Sequence, residues 1–168
     1  MDREGLYSPE EVHLLAAVAT ERRRGERDAL LIEVIFSGLT SKQALSLQPS
    51  NICRLPNGGA TFDIENKPGR LKVISCSPEL ACSLESYAKR RRLLPTDKFF
   101  PITRTQLWYI INVSGKKAKL GNVTPSLIRQ SGNRCRHRGF QDSQGVEESL
   151  CETCNYRLCW KKYRCKEN

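Results

Sequence analysis

Five of the eight cysteines lie among the last 34 residues, and closely spaced thiolates are typical metal ligands. Cys151 and Cys154 are separated by two residues, the spacing with which a tight turn supplies half of a tetrahedral ligand shell. A structural metal would replace the hydrophobic core that so short a polar segment cannot form by itself. We predict a four-thiolate zinc site made of Cys135, Cys151, Cys154 and Cys159, with Cys165 and His137 as alternative ligands.

Two other interpretations of this cysteine cluster stay open. The same four thiolates also suit an iron–sulfur cluster, which would make the protein a redox or oxygen sensor. Alternatively, the thiols are free and reduced, or form a disulfide on oxidation. The remaining cysteines, Cys53, Cys76 and Cys82, are scattered along the chain, and we expect them to be buried structural thiols.

Basic residues are concentrated in the second half of the chain. Residues 86–140 contain thirteen Lys and Arg but one acid, whereas residues 1–40 contain five basic and eight acidic residues. A local positive field attracts polyanions, so the distribution favours double-stranded DNA as the partner. The alternative is a solvated basic face that serves solubility. An anionic membrane surface is not expected, because no helix combines a basic face with bulky aromatic residues.

Length and composition restrict the class of protein. The chain has 168 residues, of which 39% are hydrophobic and 27% charged, enough for one packed domain with a small appendage. We expect a DNA-binding domain over residues 1–134 and a Cys-rich metal-binding tail over 135–168. Neither a signal peptide nor a membrane span is recognisable. We therefore expect a cytoplasmic, nucleoid-associated protein.

The elements that must position these residues are mostly helices. Ser8 and Glu11 form a predicted capping box, and a Thr or Ser before a Pro or a polar residue marks several later helix starts. Phe99, Phe100, Trp108 and Tyr109 are expected to pack in the core. The hydrophobic periodicity predicts helices over residues 9–24, 26–37, 41–47, 78–92, 103–113 and 124–138.

Three short strands are predicted between the third and fourth helices, over residues 52–55, 60–65 and 71–76. The connecting segments, residues 56–59 and 66–70, are rich in Pro, Gly and Asn, which favour tight turns. Strands joined so closely pair as an antiparallel meander. The predicted fold class is therefore α+β, mainly helical, with a small three-stranded antiparallel sheet.

Seven segments of the chain follow one another in an order found in a known protein family. They are residues 7–12, 27–31, 37–39, 44–52, 67–70, 100–104 and 123–129. Together they resemble the catalytic domain of the tyrosine recombinases, the phage-integrase family. The resemblance covers residues 6–132, and no single motif carries it. It implies a tyrosine-recombinase catalytic-domain-like fold.

The resemblance also implies which catalytic parts are present. The family uses a tyrosine nucleophile, two arginines, a histidine and a lysine around the scissile phosphate. Here Tyr163, Arg129 and Lys67 match, but Thr40 stands where the first arginine is expected, and Ser126 stands where the histidine is expected. We therefore expect no strand cleavage and no enzymatic activity.

What remains by this resemblance is a basic surface for DNA, with Arg129 as the strongest single candidate. Phosphate contacts would dominate the affinity. The residues expected to face the duplex are Lys67, Arg70, Arg104, Lys116, Lys117, Lys119, Arg129, Arg134 and Arg136.

Three functions are consistent with the sequence. The first is a sequence-specific DNA-binding protein, a transcriptional regulator or an accessory factor of a mobile element, on a catalytically inactive scaffold. The second is a divergent active recombinase that cuts and rejoins DNA through Tyr163. The third is an interaction subunit that reaches DNA through a heteromeric protein partner. A palindromic DNA site would imply a homodimer.

Overall fold

A computed structural model describes residues 5–56 and 58–142, with the side chains of residues 66, 67 and 136–142 left out. Within this part the fold is mainly helical with one small sheet, as predicted. The helices are α1 (Pro9–Thr20), α2 (Gly25–Phe36), α3 (Ser41–Ser46), α4 (Pro78–Arg91), α5 (Arg104–Lys117) and α6 (Pro125–Asp142), with a 3₁₀ turn at Pro49–Asn51. The strands are β1 (Ile52–Arg54), β2 (Ala60–Lys67) and β3 (Arg70–Cys76).

Side-chain caps fix the helix starts. The Ser8 hydroxyl accepts from the Glu11 amide, and the Glu11 carboxylate accepts from the Ser8 amide, which completes the predicted capping box. Thr103 and Gln106 form an equivalent box at α5. The Thr124 hydroxyl accepts from the Leu127 amide and caps α6. Because these caps satisfy amides that the first helical turn leaves unpaired, local sequence is sufficient to set the starts.

The three strands form the predicted antiparallel meander in the order β1-β2-β3. Ile52 pairs with Phe62, which in turn pairs with Ile74, so alternate residues of all three strands face the helices. At the β2–β3 turn Lys67 pairs with Arg70, and Gly69 has φ of 72°. Such a positive φ favours glycine, which explains the sharp turn there.

Helix α2 is the centre of the core. Leu31, Ile32, Val34 and Ile35 are fully buried, because α1, α3, α4 and α6 all pack around this helix. A helix that is apolar around most of its circumference needs neighbours on several sides. Here it also fixes where the first residues of α6 lie.

Helix α6 packs very closely on α2 at Gly132. A Cβ atom at this glycine would lie 1.7 Å from the Phe36 carbonyl oxygen, so only glycine allows the observed approach. The Ser131 hydroxyl donates to the Leu127 carbonyl oxygen and accepts from the Tyr7 amide, which ties the N-terminal segment to the same helix. The position of α6 is thus determined by backbone contact rather than by flexible side chains.

Helix α5 is longer than predicted, and its aromatic residues are placed differently. It continues to Lys117 because Ser114 and Gly115 are buried on its inner face. Phe99 and Phe100 are buried, as expected. The core prediction for Trp108 and Tyr109 is wrong, since 51% and 57% of these residues are exposed. The inner face of α5 is occupied instead by Leu107, Ile110 and Ile111.

The described cysteines fall into different environments. Cys76 is buried and Cys82 is half-buried, but Cys53 is exposed, so the prediction of a buried thiol is wrong for Cys53. Cys53 lies on β1, where Arg54 is also exposed. Among the described residues, no helix is both long and apolar enough to cross a membrane.

Candidate anion-binding cleft

A cleft of about 340 Å³ opens where the first residues of α3, α5 and α6 meet. These helices are distant in sequence. α3 and α6 pack on α2, and α5 packs on α1 and α3, which brings the three helix starts together. Its walls combine cations, hydroxyl groups and one aromatic residue. The lining residues are Thr40, Ser41, Lys42, Arg104, Leu107, Trp108, Thr124, Pro125, Ser126 and Arg129.

Three cations face this cleft, and none of its lining residues is acidic. They are Lys42 on α3, Arg104 at the start of α5 and Arg129 one turn into α6. Within the part of the chain that the structure describes, none of these three side chains forms an ion pair or a hydrogen bond. Arg129 is half-buried, so its charge is partly removed from water without a compensating carboxylate. This arrangement is suited to an anion.

Other arginines of the fold show the contrast. Arg27 is buried and donates to Asp28 at 2.9 Å, Arg54 binds Glu85 at 2.9 Å, and Arg90 pairs with Glu26. Their roles are structural. The three cations of the cleft differ from these arginines, because they have no carboxylate partner among the described residues.

Backbone amides add to the positive potential of the cleft. The first residues of α5 and α6 line the cleft, and the N-terminus of a helix favours negative charge. The hydroxyl groups of Ser41 and Ser126 supply further donors on the walls. Together these groups can bind a phosphate through several charge-assisted hydrogen bonds.

Thr40 and Gln43 are locked together beside the cleft. The Gln43 side-chain oxygen accepts from both the amide and the hydroxyl of Thr40, while the Thr40 hydroxyl accepts from the Gln43 amide. Gln43 is buried. Thr40 therefore serves as the cap of α3, and its short side chain carries no charge into the cleft.

The structure brings together two of the predicted DNA-contacting residues, Arg104 and Arg129. Two basic residues at the other end of α5, Lys116 and Lys119, are exposed, and Lys117 lies 3.7 Å from Glu21. A helix of this length separates Lys117 from Arg104 by about 20 Å. A single ligand that contacts both the cleft and these lysines must therefore be at least about 20 Å long.

The remaining predicted DNA contacts are placed as follows. Arg70 is exposed at the β2–β3 turn, opposite Lys67 in the strand register. Arg134 lies half-buried on α6 and interacts with another residue. Arg136 belongs to the same helix, and its side chain lies outside the described residues.

Most of the predicted metal ligands lie outside the described part of the chain. Cys135 is on α6, which continues through the predicted domain boundary, and its half-buried side chain packs against the core. His137 is also in α6, with its side chain beyond the description. No group of three or more metal-ligating residues is found among the described side chains. The ligands and the nucleophile candidate outside them are Cys151, Cys154, Cys159, Cys165 and Tyr163.

Lys42 and Trp108 line the cleft, although neither was predicted to be a ligand-binding residue. Lys42 is offset by two residues from Thr40, where the resemblance implied an arginine, yet it faces the same cleft. Trp108 follows Arg104 by four residues, and that spacing places both on one face of a helix. This spacing was the signal that could have identified Trp108 as a wall of the cleft.

Neither a protein-family model nor a curated protein sequence matches the chain significantly. Solved structures do resemble it. The XerH site-specific recombinase bound to its difH substrate, before cleavage, superposes with a TM-score of 0.65 and 20% identity over 94% of this chain and 52% of that chain. The post-cleavage XerH complex with palindromic difH gives 0.64 and 19% identity, over 92% and 48%. The XerA recombinase gives 0.59 and 19%, over 96% and 66%.

These similarities confirm the predicted fold, that of a tyrosine-recombinase-like domain. The chain spans about half the length of the XerH chains. At about one residue in five identical, the likeness concerns architecture, and function has to be argued from the cleft.

Proposed function

We propose that the protein binds double-stranded DNA and holds one backbone phosphate in the cleft formed by α3, α5 and α6. The observation that carries this proposal is the convergence of Lys42, Arg104 and Arg129 on one cleft without a carboxylate partner among the described residues. Site-specific recombinases act on DNA, and two of the similar structures contain a recombinase with its difH substrate. The fold therefore supports the same class of ligand for this chain.

The charge distribution supports contacts beyond the cleft. The +12 excess of residues 86–140 extends from α4 to α6 and includes exposed lysines at the far end of α5. A duplex can span this distance, and each phosphate that a cation neutralises releases counterions. The affinity should therefore fall steeply as the salt concentration rises.

Replacing Arg129 by alanine is expected to weaken DNA binding about tenfold or more, because a hydrogen bond to a charged group contributes about 1.5–3 kcal/mol. The slope of log affinity against log salt should become shallower by about one. The measurement is fluorescence anisotropy with a 30-base-pair duplex over a range of salt concentrations. Arg104→Ala should act in the same direction.

Arg54→Ala is the matched control for this experiment. Arg54 is a strand residue that binds Glu85, at a site that does not line the cleft, so its loss should leave affinity within about twofold. Circular dichroism must show that each variant stays folded. Unchanged affinity and salt slope in folded Arg129→Ala would refute the proposed phosphate contact.

We further propose that the bound strand is not cut. Each missing preorganised donor to a charged transition state costs about 2.7–4 kcal/mol, so the two positions held by Thr40 and Ser126 would slow cleavage by several powers of ten. Denaturing electrophoresis of the same protein–DNA mixture tests this, because strand cleavage through a tyrosine leaves a protein–DNA adduct that survives denaturation. An adduct in the wild type that disappears in Tyr163→Phe would instead support a divergent recombinase.

The proposed biological role is transcriptional regulation, with a mobile element as one setting. Mapping the DNA recovered with the protein from its own cells tests this role. Several sites that share a motif upstream of genes would support a regulator, and a single site at the end of an element would favour recombination. Recovery without any motif would favour the partner-dependent subunit. The symmetry of a recovered motif would also test the homodimer.

The proposed role of the cysteine cluster is a structural zinc site that attaches the tail to α6. Cys135 suits this role, because it is half-buried against the core and lies on the helix that begins at the cleft. Iron–sulfur binding remains the alternative for the same thiolates.

Replacing Cys154 by serine is expected to abolish stoichiometric zinc and to lower the melting temperature by several degrees, because structural zinc contributes directly to folding. Elemental analysis and thermal unfolding measure the two effects. Cys53→Ser, at an exposed cysteine on β1, should change neither. Wild-type protein without bound zinc or iron would contradict the metal site, and iron in place of zinc would select the cluster.

A further inference from the structure

Trp108 is an exposed aromatic residue on the wall of the anion-binding cleft. Half of it is accessible to solvent, although an indole gains more than most side chains from burial. It lies one helical turn after Arg104, so the ring and the guanidinium project from the same side of α5. The core does not explain this placement, because Leu107 and Ile111 provide the inner face of the helix at this level.

The neighbouring Tyr109 is also an exposed aromatic residue, but its ring has an interaction partner within the fold. The Arg22 guanidinium lies over its ring, 5.5 Å from the ring centre, and accounts for its outward position. The Trp108 side chain forms no hydrogen bond, ring contact or cation contact within the described part of the chain. Its exposed face is thus available beside three cations that lack acidic partners.

We propose that the cleft receives an unpaired nucleotide, with its phosphate on Lys42, Arg104 and Arg129 and its base stacked on Trp108. This inference rests on the phosphate-binding role proposed above. Cationic groups that follow the backbone next to an aromatic platform are the combination by which proteins bind unpaired strands. A volume of about 340 Å³ is at the lower end for small-ligand sites and is compatible with one nucleotide.

The stacking of bases within a duplex is what makes this inference specific to an unpaired nucleotide. Inside a duplex both faces of each base are covered by its neighbours, and an indole can stack on a base only where the base is extruded or unpaired. A blunt duplex would use the cations alone. An unpaired nucleotide would use the cations and Trp108, and should therefore bind more tightly.

The test compares three DNA probes with the full-length chain, namely a blunt duplex, the same duplex with a five-thymine single-stranded overhang, and the same overhang with abasic sugars. We expect the thymine overhang to bind about 5- to 100-fold more tightly than the abasic one. Trp108→Ala should abolish this difference. Tyr109→Ala, a matched change at the neighbouring aromatic, should preserve it.

Fluorescence gives an independent readout. The chain has two tryptophans, so Trp160→Phe leaves Trp108 as the single emitter. Its emission should be quenched by the thymine overhang and not by the abasic probe. Competition by thymidine monophosphate at millimolar concentration would show that a free nucleotide suffices, whereas competition by a five-thymine strand alone would assign the site to strands.

The outcomes separate this inference from the proposed function. Equal affinity for thymine and abasic overhangs, with Arg129→Ala weakening both, would overturn the role of Trp108 and keep phosphate binding. If the wild type binds no probe, or if Arg129→Ala and Arg104→Ala have no effect, phosphate binding in the cleft fails as well. The anisotropy measurements keep Trp160 in place, so they decide between these outcomes even if Trp160→Phe does not fold.

Discussion

Replacing Gly132 by alanine is expected to lower the free energy of unfolding by about 1–2 kcal/mol, the net of an overpacking cost and a smaller gain in helix propensity. The added Cβ would lie 1.7 Å from the Phe36 carbonyl oxygen and 2.7 Å from its carbonyl carbon, so α6 has to move away from α2. Overpacking typically costs about 1–3 kcal/mol, and here the obstacle is backbone that cannot change rotamer. The gain in helix propensity, about 1 kcal/mol, offsets only part of this cost.

The same substitution should also weaken DNA binding, because Arg129 precedes Gly132 by one helical turn. Urea unfolding followed by circular dichroism measures the first effect, and anisotropy at a temperature where the variant is folded measures the second. Gln130→Ala, at an exposed position of the same helix, is the control and should change stability by less than about 0.5 kcal/mol.

A graded comparison with Gly115 sharpens this test. A Cβ at Gly115 would lie 2.5 Å from a methyl carbon of Val123, a side chain that can shift. We therefore expect Gly115→Ala to cost less than Gly132→Ala. If Gly132→Ala is as stable as the wild type, the close approach of α6 to α2 is not required by the fold.

Much of the fold could be predicted because its signals are local. Ser8 with Glu11 and Thr103 with Gln106 set helix starts through contacts three residues apart. The β2–β3 turn needs only a residue such as Gly69 that tolerates a positive φ. Such features depend little on the rest of the chain, and periodic apolar residues supply the remaining pattern.

The parts that could not be predicted depend on packing between distant segments. Trp108 and Tyr109 look like core residues by composition, yet α5 has room on its inner face for Leu107, Ile110 and Ile111 and turns both aromatics outward. The packing of the neighbouring helices determines which residues of α5 face inward. The hydrophobicity of the residues alone does not predict it.

The cleft was recognised only in part for the same reason. The resemblance to tyrosine recombinases pointed to Arg104 and Arg129 and to missing charges at Thr40 and Ser126. The structure adds Lys42, which faces the cleft from the first turn of α3. A positive charge is thus present on the α3 side of the cleft although Thr40 carries none, so the proposed anion binding does not require the arginine that the resemblance implied.

A second large effect is expected from Glu33, a largely buried carboxyl group on α2. Burial disfavours its charged form and raises its pKa from 4.5 to about 7. Nearby, burial raises the pKa of the Cys76 thiol, and the positive charge of Arg54 opposes this effect in part. Burial thus disfavours the charged form of both side chains.

The direction of the pH dependence follows from the raised pKa. Between pH 4.5 and about 7 the folded chain holds a proton that the unfolded chain has released, so the folded state is favoured most below pH 4.5. That stability is lost as the pH rises through 7. A shift of this size corresponds to roughly 3 kcal/mol when Glu33 is fully ionised.

Replacing Glu33 by glutamine should remove this loss, because the amide has nearly the same shape and carries no charge. We expect the variant to be more stable than the wild type by about 2–3 kcal/mol at pH 8.5, and close to it at pH 4.5. Urea unfolding at several pH values measures the difference. Glu21→Gln, at an exposed carboxyl group 3.7 Å from Lys117, is the control and should change stability by no more than about 1 kcal/mol. A curve for Glu33→Gln parallel to that of the wild type would show that Glu33 titrates at the same pH in the folded and unfolded chains.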